Sequence, residues 1–192
     1  NVNEQRPNNK EQNTKKTLFS DVVKDYKTDK TMIGIDVSKW QKDIDFNKLK
    51  EAGVEFIIIR VGSSTGINGE NFIDSKFIQN ITNANNLNIP VGVYFYSYAN
   101  SKERAISDAK WVLEQIKDYN VELGVALDWE NWNSFNEFNL SFFCLTNMAN
   151  EFLKVINDAG YKTLLYSSKT YLENIWMDIE YPIWLAHYVK NT

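Results

Sequence analysis

The chain has 192 residues, of which 43% are hydrophobic and 14% aromatic, with a formal net charge of −4 and a pI near 5.1. Its length and apolar content suffice for one well-buried core but not for two large domains. The acidic balance gives no electrostatic reason to expect nucleic acid as a partner, and no apolar run approaches the roughly 20 residues that span a bilayer. The 6 Trp and 10 Tyr residues, flat apolar groups with a polar handle, are instead typical of carbohydrate sites.

The first 31 residues are predicted to form an N-terminal arm. Residues 1–16 are almost entirely polar and bury too little apolar surface to offset the entropy of ordering, so we expect them to be disordered. From Leu18 to Tyr26 apolar residues recur at helical spacing, which predicts a short amphipathic helix that docks the arm on the domain. A solvated linker to a leader or anchor explains the same pattern equally well. Residues 32–192 are assigned to one folded domain.

After Met32 the pattern alternates between strands and helices. Strands are predicted at residues 33–37, 54–61, 91–98, 124–130, 163–167 and 183–188. Helices are predicted at residues 45–52, 101–119 and 140–159, and a further helix is predicted to begin at a cap formed by Asp74 and to carry Phe77, Ile78, Ile81 and Ala84. The residues predicted to be buried are Ala105, Ala109, Val112 and Ile116 on helix 101–119, and Leu145, Met148, Phe152 and Ile156 on helix 140–159. Repeated βα units leave two architectures, an open doubly wound sheet or a barrel. The glycine-containing segment 62–66 lacks the Lys of a phosphate-binding loop, which argues against a nucleotide and favours the barrel.

Two of the predicted strands end in carboxylates. Asp128 and Glu130 are two residues apart at the end of the fourth strand, so they face the same side with backbones roughly 7 Å apart. Asp36 comes at the end of the first strand. If both strands are parallel members of one sheet, the three carboxylates meet at the rim where α/β folds place their chemistry. Taken alone, such a pair of carboxylates is more often a salt-bridge cluster or a solvated strand end.

Five short motifs follow one another along the chain: GIDVSKWQ at residues 34–41, IRVG at 59–62, GVY at 92–94, LDWE at 127–130 and WLAHY at 184–188. In this order they resemble the motifs of the glycoside hydrolase family 25 lysozymes, the N-acetylmuramidases of bacteria and phages. The resemblance extends from about residue 32 to the end of the chain. It implies an α/β fold, an irregular TIM-like β/α barrel. It also implies cleavage of the β-1,4 bond between N-acetylmuramic acid and N-acetylglucosamine in peptidoglycan.

The resemblance also implies roles for individual residues. Glu130 would be the general acid, Asp128 its partner carboxylate and Asp36 a further active-site carboxylate. Clustering raises the proton affinity of at least one carboxylate, as a general acid requires. The side chains expected to bind substrate are Arg60, Tyr94, Tyr96, Trp132, Tyr166, Trp184 and Tyr188.

Several alternatives stay open at the level of sequence. The tyrosines on the third strand serve equally well as barrel packing. The three carboxylates have the oxygen ligands that suit a hard cation, but no ligand-dense loop accompanies them, so we expect neither a metal nor another cofactor. A retaining mechanism assisted by the substrate's acetamido group is favoured, with an enzyme nucleophile or an inverting water as alternatives.

The sequence departs from the pattern of the family at two points. Lys42 stands where the first motif usually has Gly, which affects a local loop. The two last strands of the family fold, with an aromatic-Gln-Tyr motif and a Val-Asp-x-Asn segment, are absent before the chain ends at Thr192. We therefore expect a barrel that lacks its closing strands. The oligomeric state is left open, because such a barrel could borrow strands from a partner molecule.

The missing strands keep a second function under consideration, a non-catalytic module that binds or assembles the cell wall. Such a module needs the aromatic cleft but not the carboxylates, so their presence favours the enzyme. Because peptidoglycan lies outside the membrane, the expected location is extracellular or associated with the cell wall. His187, the single histidine, is expected to be a packed or hydrogen-bonded strand residue, and Cys144, the single cysteine, a buried inert thiol.

Overall fold

The structure is a computed structural model that describes residues 17–130, 135 and 139–187. Its centre is a seven-stranded sheet in which six parallel strands lie in the order β1-β2-β4-β5-β6-β7, while β3 pairs antiparallel with β2. The strands are β1 (Gly34–Val37), β2 (Phe56–Ser64), β3 (Asn71–Ile73), β4 (Val91–Ser97), β5 (Gly124–Trp129), β6 (Thr163–Ser168) and β7 (Ile183–Ala186). All six predicted strands are therefore present.

Six α-helices and one 3-10 turn accompany the sheet in the described residues. The helices are α1 (Phe19–Tyr26), α2 (Phe46–Glu51), α3 (Phe77–Asn86), α4 (Lys102–Ile116), α5 (Phe142–Asp158) and α6 (Lys169–Asn174), and the 3-10 turn is Lys39–Gln41. Three elements of the fold were not predicted from sequence, namely the strand β3, the helix α6 and the 3-10 turn. None of the helices in this part of the chain is long and apolar enough to cross a membrane.

The main hydrophobic core lies between the helices and the outer face of the sheet. Strand alternation places Ile57, Ile59 and Val61 of β2 on this face, and all three are fully buried. Helices α3, α4 and α5 pack against it, and Phe95 of β4 stacks on Phe152 of α5 with ring centroids 6.2 Å apart. The eight core positions predicted on α4 and α5 are all buried.

The inner face of the sheet curls around a lumen that is open between β1 and β7. Among the described residues β1 pairs only with β2, and β7 only with β6. A cavity of about 460 Å³ lies at this opening, lined from both edges by residues that include Ile35 and Leu185. Within the described residues, this curled parallel sheet is the irregular barrel without closing strands that the sequence predicted.

Two helix caps were predicted from sequence, and one of them is confirmed. The Asp45 side chain accepts hydrogen bonds from the backbone N–H groups of Asn47 and Lys48 and so caps α2. The prediction that Asp74 caps the next helix is wrong. The N-cap of α3 is Lys76 without a side-chain bond, because both Asp74 oxygens are engaged before the helix begins.

Two side chains predicted on apolar helix faces lie instead at the surface. Ile78 of α3 is 49% exposed, since the helix turns its Phe77–Ile81 side toward the sheet. Cys144 is exposed rather than buried. It lies in the first turn of α5, where its backbone N–H donates to the Ser141 hydroxyl.

The N-terminal helix forms as predicted, with Phe19, Val22 and Val23 of its apolar side only half-buried. No residue of α1 is buried. Lys27, which follows the helix, instead forms an ion pair with Glu55 at 2.6 Å, and Glu55 also accepts the backbone N–H of Ile33 at 2.7 Å. These polar contacts connect the end of α1 to the residue that precedes β1. Residues 1–16, predicted to be disordered, lie outside the described residues.

Lys42, the first departure from the motif pattern, has φ 58° at the end of the 3-10 turn. This is the left-handed region in which glycine is favoured, and a non-glycine residue there costs of order 1–3 kcal/mol. Lys42 thus adopts a backbone conformation that the glycine usual at this position of the motif would adopt with less strain.

Gly124 is a position where β5 requires glycine. Its φ is 93°, and a Cβ there would lie 2.3 Å from the Lys162 carbonyl oxygen, whereas Gly160 has φ 92° with nothing within 4 Å. We expect Gly124→Ala to lower the free energy of unfolding by about 3 kcal/mol or more, since backbone strain and a steric clash add. Gly160→Ala, the matched control, should cost only about 1–2 kcal/mol. Urea unfolding of both variants tests this, and equal losses would contradict the clash.

Candidate active site

The carboxyl ends of the parallel strands surround a cavity of about 300 Å³ in the lumen. Asp128, Tyr166 and Trp184 are consecutive partners in the register of β5, β6 and β7, so their side chains face the same side. Asp36 reaches the same cavity from β1 at the opposite edge of the sheet, because the sheet curls. The full lining is Asp36, Tyr94, Asp128, Tyr166, Trp184, Ala186 and His187.

Asp128 is the most desolvated carboxylate of this cavity. It is 7% exposed, and its Oδ1 atom has no hydrogen-bond partner among the described residues. Burial raises the pKa of Asp128 well above its usual range, and the negative charges of Glu130 and Asp36 act in the same direction, while the Arg60 guanidinium opposes them. Asp128 therefore tends to hold a proton in the free protein.

Glu130 directly follows β5 and is exposed at the rim. Partial burial nevertheless raises its pKa. Glu130 does not line the cavity of Asp128 but an adjoining one of about 530 Å³, and Ala186 and His187 line both. The other residues of the second cavity are Ser168, Lys169, Thr170 and Tyr171. The two predicted catalytic carboxylates thus face two halves of one cleft.

Asp36 is exposed to the lumen near the open edge of the sheet. Neighbouring atoms still desolvate its carboxylate and raise its pKa, partly offset by a backbone hydrogen bond. Three carboxylates with raised pKa values are therefore grouped around this cleft. A raised pKa is what a carboxyl group needs in order to act as a general acid.

Aromatic side chains form the walls beside these carboxylates. Trp184 packs edge-on against Tyr166, with ring centroids 4.9 Å apart, and against Tyr94 at 6.1 Å. Burial raises the pKa of Tyr94, against the opposing effect of the nearby Arg60 charge, so its phenol stays protonated and able to donate a hydrogen bond. Tyr96 packs on Tyr98 and is not among the residues that line either cavity.

The remaining predicted site residues lie in different places. Arg60 is 5% exposed, and its guanidinium is bonded to Asp74. Trp132 and Tyr188 lie outside the described residues. His187 was expected to pack within a strand, but it is exposed and borders both cavities. Its position at the end of the WLAHY motif was the available sequence signal. Within the described ranges, no three His, Cys, Asp or Glu side chains are placed to hold a metal ion.

Comparison with known proteins gives a consistent set of similarities. The family model described as "Glycosyl hydrolases family 25" matches residues 35–192. The autolytic lysozyme of Clostridium acetobutylicum is 25% identical over 159 residues, which cover 82% of this chain and 45% of that protein. The chain therefore spans less than half the length of this relative.

Solved structures show the same fold. The modular autolysin LytC of Streptococcus pneumoniae has a TM-score of 0.62 at 30% identity, covering 72% of this chain and 33% of LytC. The spore cortex lytic enzyme SleM of Clostridium perfringens has a TM-score of 0.68 at 22% identity, covering 80% of this chain and 52% of SleM. At the latter identity the likeness is one of fold.

The electrostatics of Asp128 predict a stabilising substitution. A carboxylate whose pKa is raised in the folded state contributes stability that is fully present below its unfolded pKa of about 3.9 and is lost as the pH rises through the folded pKa. Asp128→Asn removes the buried ionisable group. We expect its Tm at pH 7 to exceed that of the parent by about 3–6 °C, since 1 kcal/mol moves the Tm of a domain this size by about 2–4 °C.

Calorimetry between about pH 3 and pH 8 measures this difference, which should vanish below the unfolded pKa of about 3.9. Asp43→Asn is the control, because Asp43 is exposed and its pKa is lowered by Lys76. That variant should show no gain at pH 7. An Asp128→Asn protein that is less stable than the parent at pH 7 would contradict the prediction.

Proposed function

Because the chain belongs to glycosyl hydrolase family 25, we propose that it hydrolyses peptidoglycan at the β-1,4 bond between N-acetylmuramic acid and N-acetylglucosamine. In this proposal Glu130 is the general acid, Asp128 its partner carboxylate and Asp36 a further carboxylate of the site. The names of the lysozyme and autolysin relatives support the substrate class. The site supports the assignment of roles.

The observation that carries the proposal is the unpartnered Oδ1 atom of Asp128. A buried acceptor without a donor is costly for folding, and such costs concentrate at functional sites. N-acetylated sugars carry an amide N–H, which is a donor of the required kind. A sugar bound in the lumen would therefore satisfy an atom that the protein itself leaves unsatisfied.

Substrate binding also explains how the proton reaches the correct carboxylate. In the free protein the stronger burial favours the proton on Asp128. A hydrogen bond from the acetamido N–H to Asp128 favours its ionised form, because such a bond stabilises the anion. The proton then resides on Glu130, which faces the adjoining cavity where the leaving sugar is expected.

The bond changes follow from this arrangement. Glu130 donates its proton to the glycosidic oxygen as the bond from that oxygen to the anomeric carbon breaks. The acetamido oxygen forms a bond to the same carbon, and ionised Asp128 stabilises the positive charge that develops on the resulting oxazolinium ring. Water then attacks the anomeric carbon, gives a proton to Glu130 and restores the acetamido group.

Tyr94, Tyr166 and Trp184 are proposed to hold the reacting sugar, because their edge-to-face packing forms a rigid apolar wall beside Asp128. Trp132, Tyr188, Tyr96 and Arg60 stay proposed substrate contacts. Peptidoglycan lies outside the membrane, so the proposed site of action is extracellular or in the cell wall.

The central test is Glu130→Gln, which keeps the size of the side chain but removes the transferable proton. We expect the release of reducing ends from purified peptidoglycan to fall by at least about 100-fold, the lower range for general acid catalysis. Turbidity loss and reducing-end release are measured across pH 4 to 8. Glu114→Gln is the control, because Glu114 is an exposed residue of α4 paired with Lys117. It should retain full activity.

Two results would contradict the assignment. Full activity in Glu130→Gln would remove Glu130 from the acid role. Binding of peptidoglycan without hydrolysis by the parent chain would favour the non-catalytic wall-binding module instead.

The proposed mechanism also predicts the stereochemistry of the product. Two successive displacements at the anomeric carbon, first by the acetamido oxygen and then by water, retain the β configuration. Proton NMR of a soluble peptidoglycan oligomer during the first minutes of reaction should show the β anomer of the new reducing end before mutarotation. An initial α anomer would indicate an inverting water and contradict the role given to Asp128.

A further inference from the structure

Asp74 joins three elements beside the catalytic cleft through one buried carboxylate. It directly follows β3 and is only 1% exposed. Its Oδ2 atom accepts hydrogen bonds from Arg60 Nε at 2.7 Å and from the Lys39 backbone N–H at 3.1 Å, and it lies 2.6 Å from Arg60 Nη2. Its Oδ1 atom accepts the Lys76 backbone N–H at 2.9 Å. Each of these contacts leads to a different part of the fold.

The contact with Arg60 holds a positive charge in the lumen. Arg60 lies on β2 opposite Tyr94, on the face of the sheet that carries the carboxylates. Its charge opposes the rise in pKa of both Asp128 and Tyr94. The bond to Asp74 therefore determines where this charge sits relative to the site.

The contact with Lys39 holds the chain that carries Asp36. Lys39 opens the 3-10 turn three residues after Asp36, and β1 has one sheet neighbour in the described part of the chain. Because only β2 pairs with β1 within these residues, the end of β1 depends more on this turn. Asp74 supplies the turn with an anchor from outside β1.

We propose that Asp74 is a positioning residue for the hydrolysis: its carboxylate holds the Arg60 guanidinium beside the catalytic carboxylates and holds the turn that follows Asp36. This inference rests on the proposed function. Asp74 itself lines neither of the two cavities, so we assign it no contact with substrate.

The charge of Asp74 gives the proposal a measurable signature. In the described residues, the titratable and charged groups around the cleft are Asp36 on β1, Arg60 on β2, Tyr94 on β4, Asp128 and Glu130 at the end of β5, Tyr166 on β6, Lys169 and Tyr171 on α6, and His187 after β7. Asp74 compensates the charge of Arg60. Without that compensation the guanidinium favours the ionised form of Asp128 more strongly, so the pKa of Asp128 falls. The pH profile of the reaction then moves to lower pH.

The test compares Asp74→Asn with Asp108→Asn. Asp108 is also fully buried and bonded to an arginine, with Arg104 Nε 2.7 Å from its Oδ1, but it joins α4 to β3 and β4 and lines neither cavity. Both variants should lower the Tm, because each removes a buried carboxylate that forms an ion pair with an arginine. Only Asp74→Asn should lower kcat on soluble peptidoglycan oligomers, by about 10- to 100-fold at nearly unchanged KM, and shift the pH profile downward.

A second pair of variants avoids the buried charge. Lys39→Pro removes the N–H that Asp74 accepts, and proline is tolerated at the first position of a helical turn. Lys39→Ala removes the same side chain but keeps the N–H. We expect kcat to fall in the proline variant relative to the alanine variant. Equal kcat values in the two would overturn the proposal, including when Asp74→Asn does not fold.

A carbon-13 NMR titration of the side-chain carboxylates separates this proposal from the proposed function. A lower pKa for Asp128 in Asp74→Asn, but not in Asp108→Asn, supports the positioning role even if the parent chain is inactive on peptidoglycan. An active parent whose kcat, pH profile and carboxylate titrations are unchanged by Asp74→Asn would overturn the positioning role alone.

Discussion

The desolvation of Asp128 is the constraint on which the arrangement of the site depends. The protein places a carboxylate in the lumen, gives its Oδ1 atom no hydrogen-bond partner within the described residues, and adds two further carboxylates nearby. Each of these features disfavours the charged form. Arg60 is the nearby positive charge that opposes them, and its position is set by Asp74. The electrostatics of the cleft therefore follow from a balance between one desolvated acid and one anchored guanidinium.

The parallel sheet provides the geometry for that balance. Its outer face is covered by helices and supplies most of the buried core, which leaves the inner face available for polar and aromatic side chains. Strand alternation then places Tyr94, Asp128, Tyr166 and Trp184 toward the lumen without any special loop. A side chain on a packed strand is held more precisely than one on a loop, as a catalytic group requires.

Much of this could be predicted from sequence because it depends on local patterns. The six parallel strands and the long helices follow from hydrophobic periodicity and capping residues. That Asp36 and Asp128 line the same cavity follows from the rule that the carboxyl ends of parallel strands meet at one rim. The short elements β3 and α6 carry too few residues for a periodic signal. Asp74 was misassigned for a related reason: its sequence position fits a helix cap, whereas its partners Arg60 and Lys39 are 14 and 35 residues away. Long-range pairing of this kind leaves no local pattern.

These long-range contacts matter most for β1, the strand at the open side of the barrel. Asp128 lies on β5, which has a paired strand on each side, so the sheet itself fixes its position. Asp36 lies on β1, which pairs only with β2 in the described residues. A strand held on one side has unpaired backbone groups and more freedom to shift. The two carboxylates therefore share a cavity, but their strands are held in place differently. At β5 a second neighbouring strand restrains the backbone, whereas at β1 the turn anchored by Asp74 supplies part of that restraint.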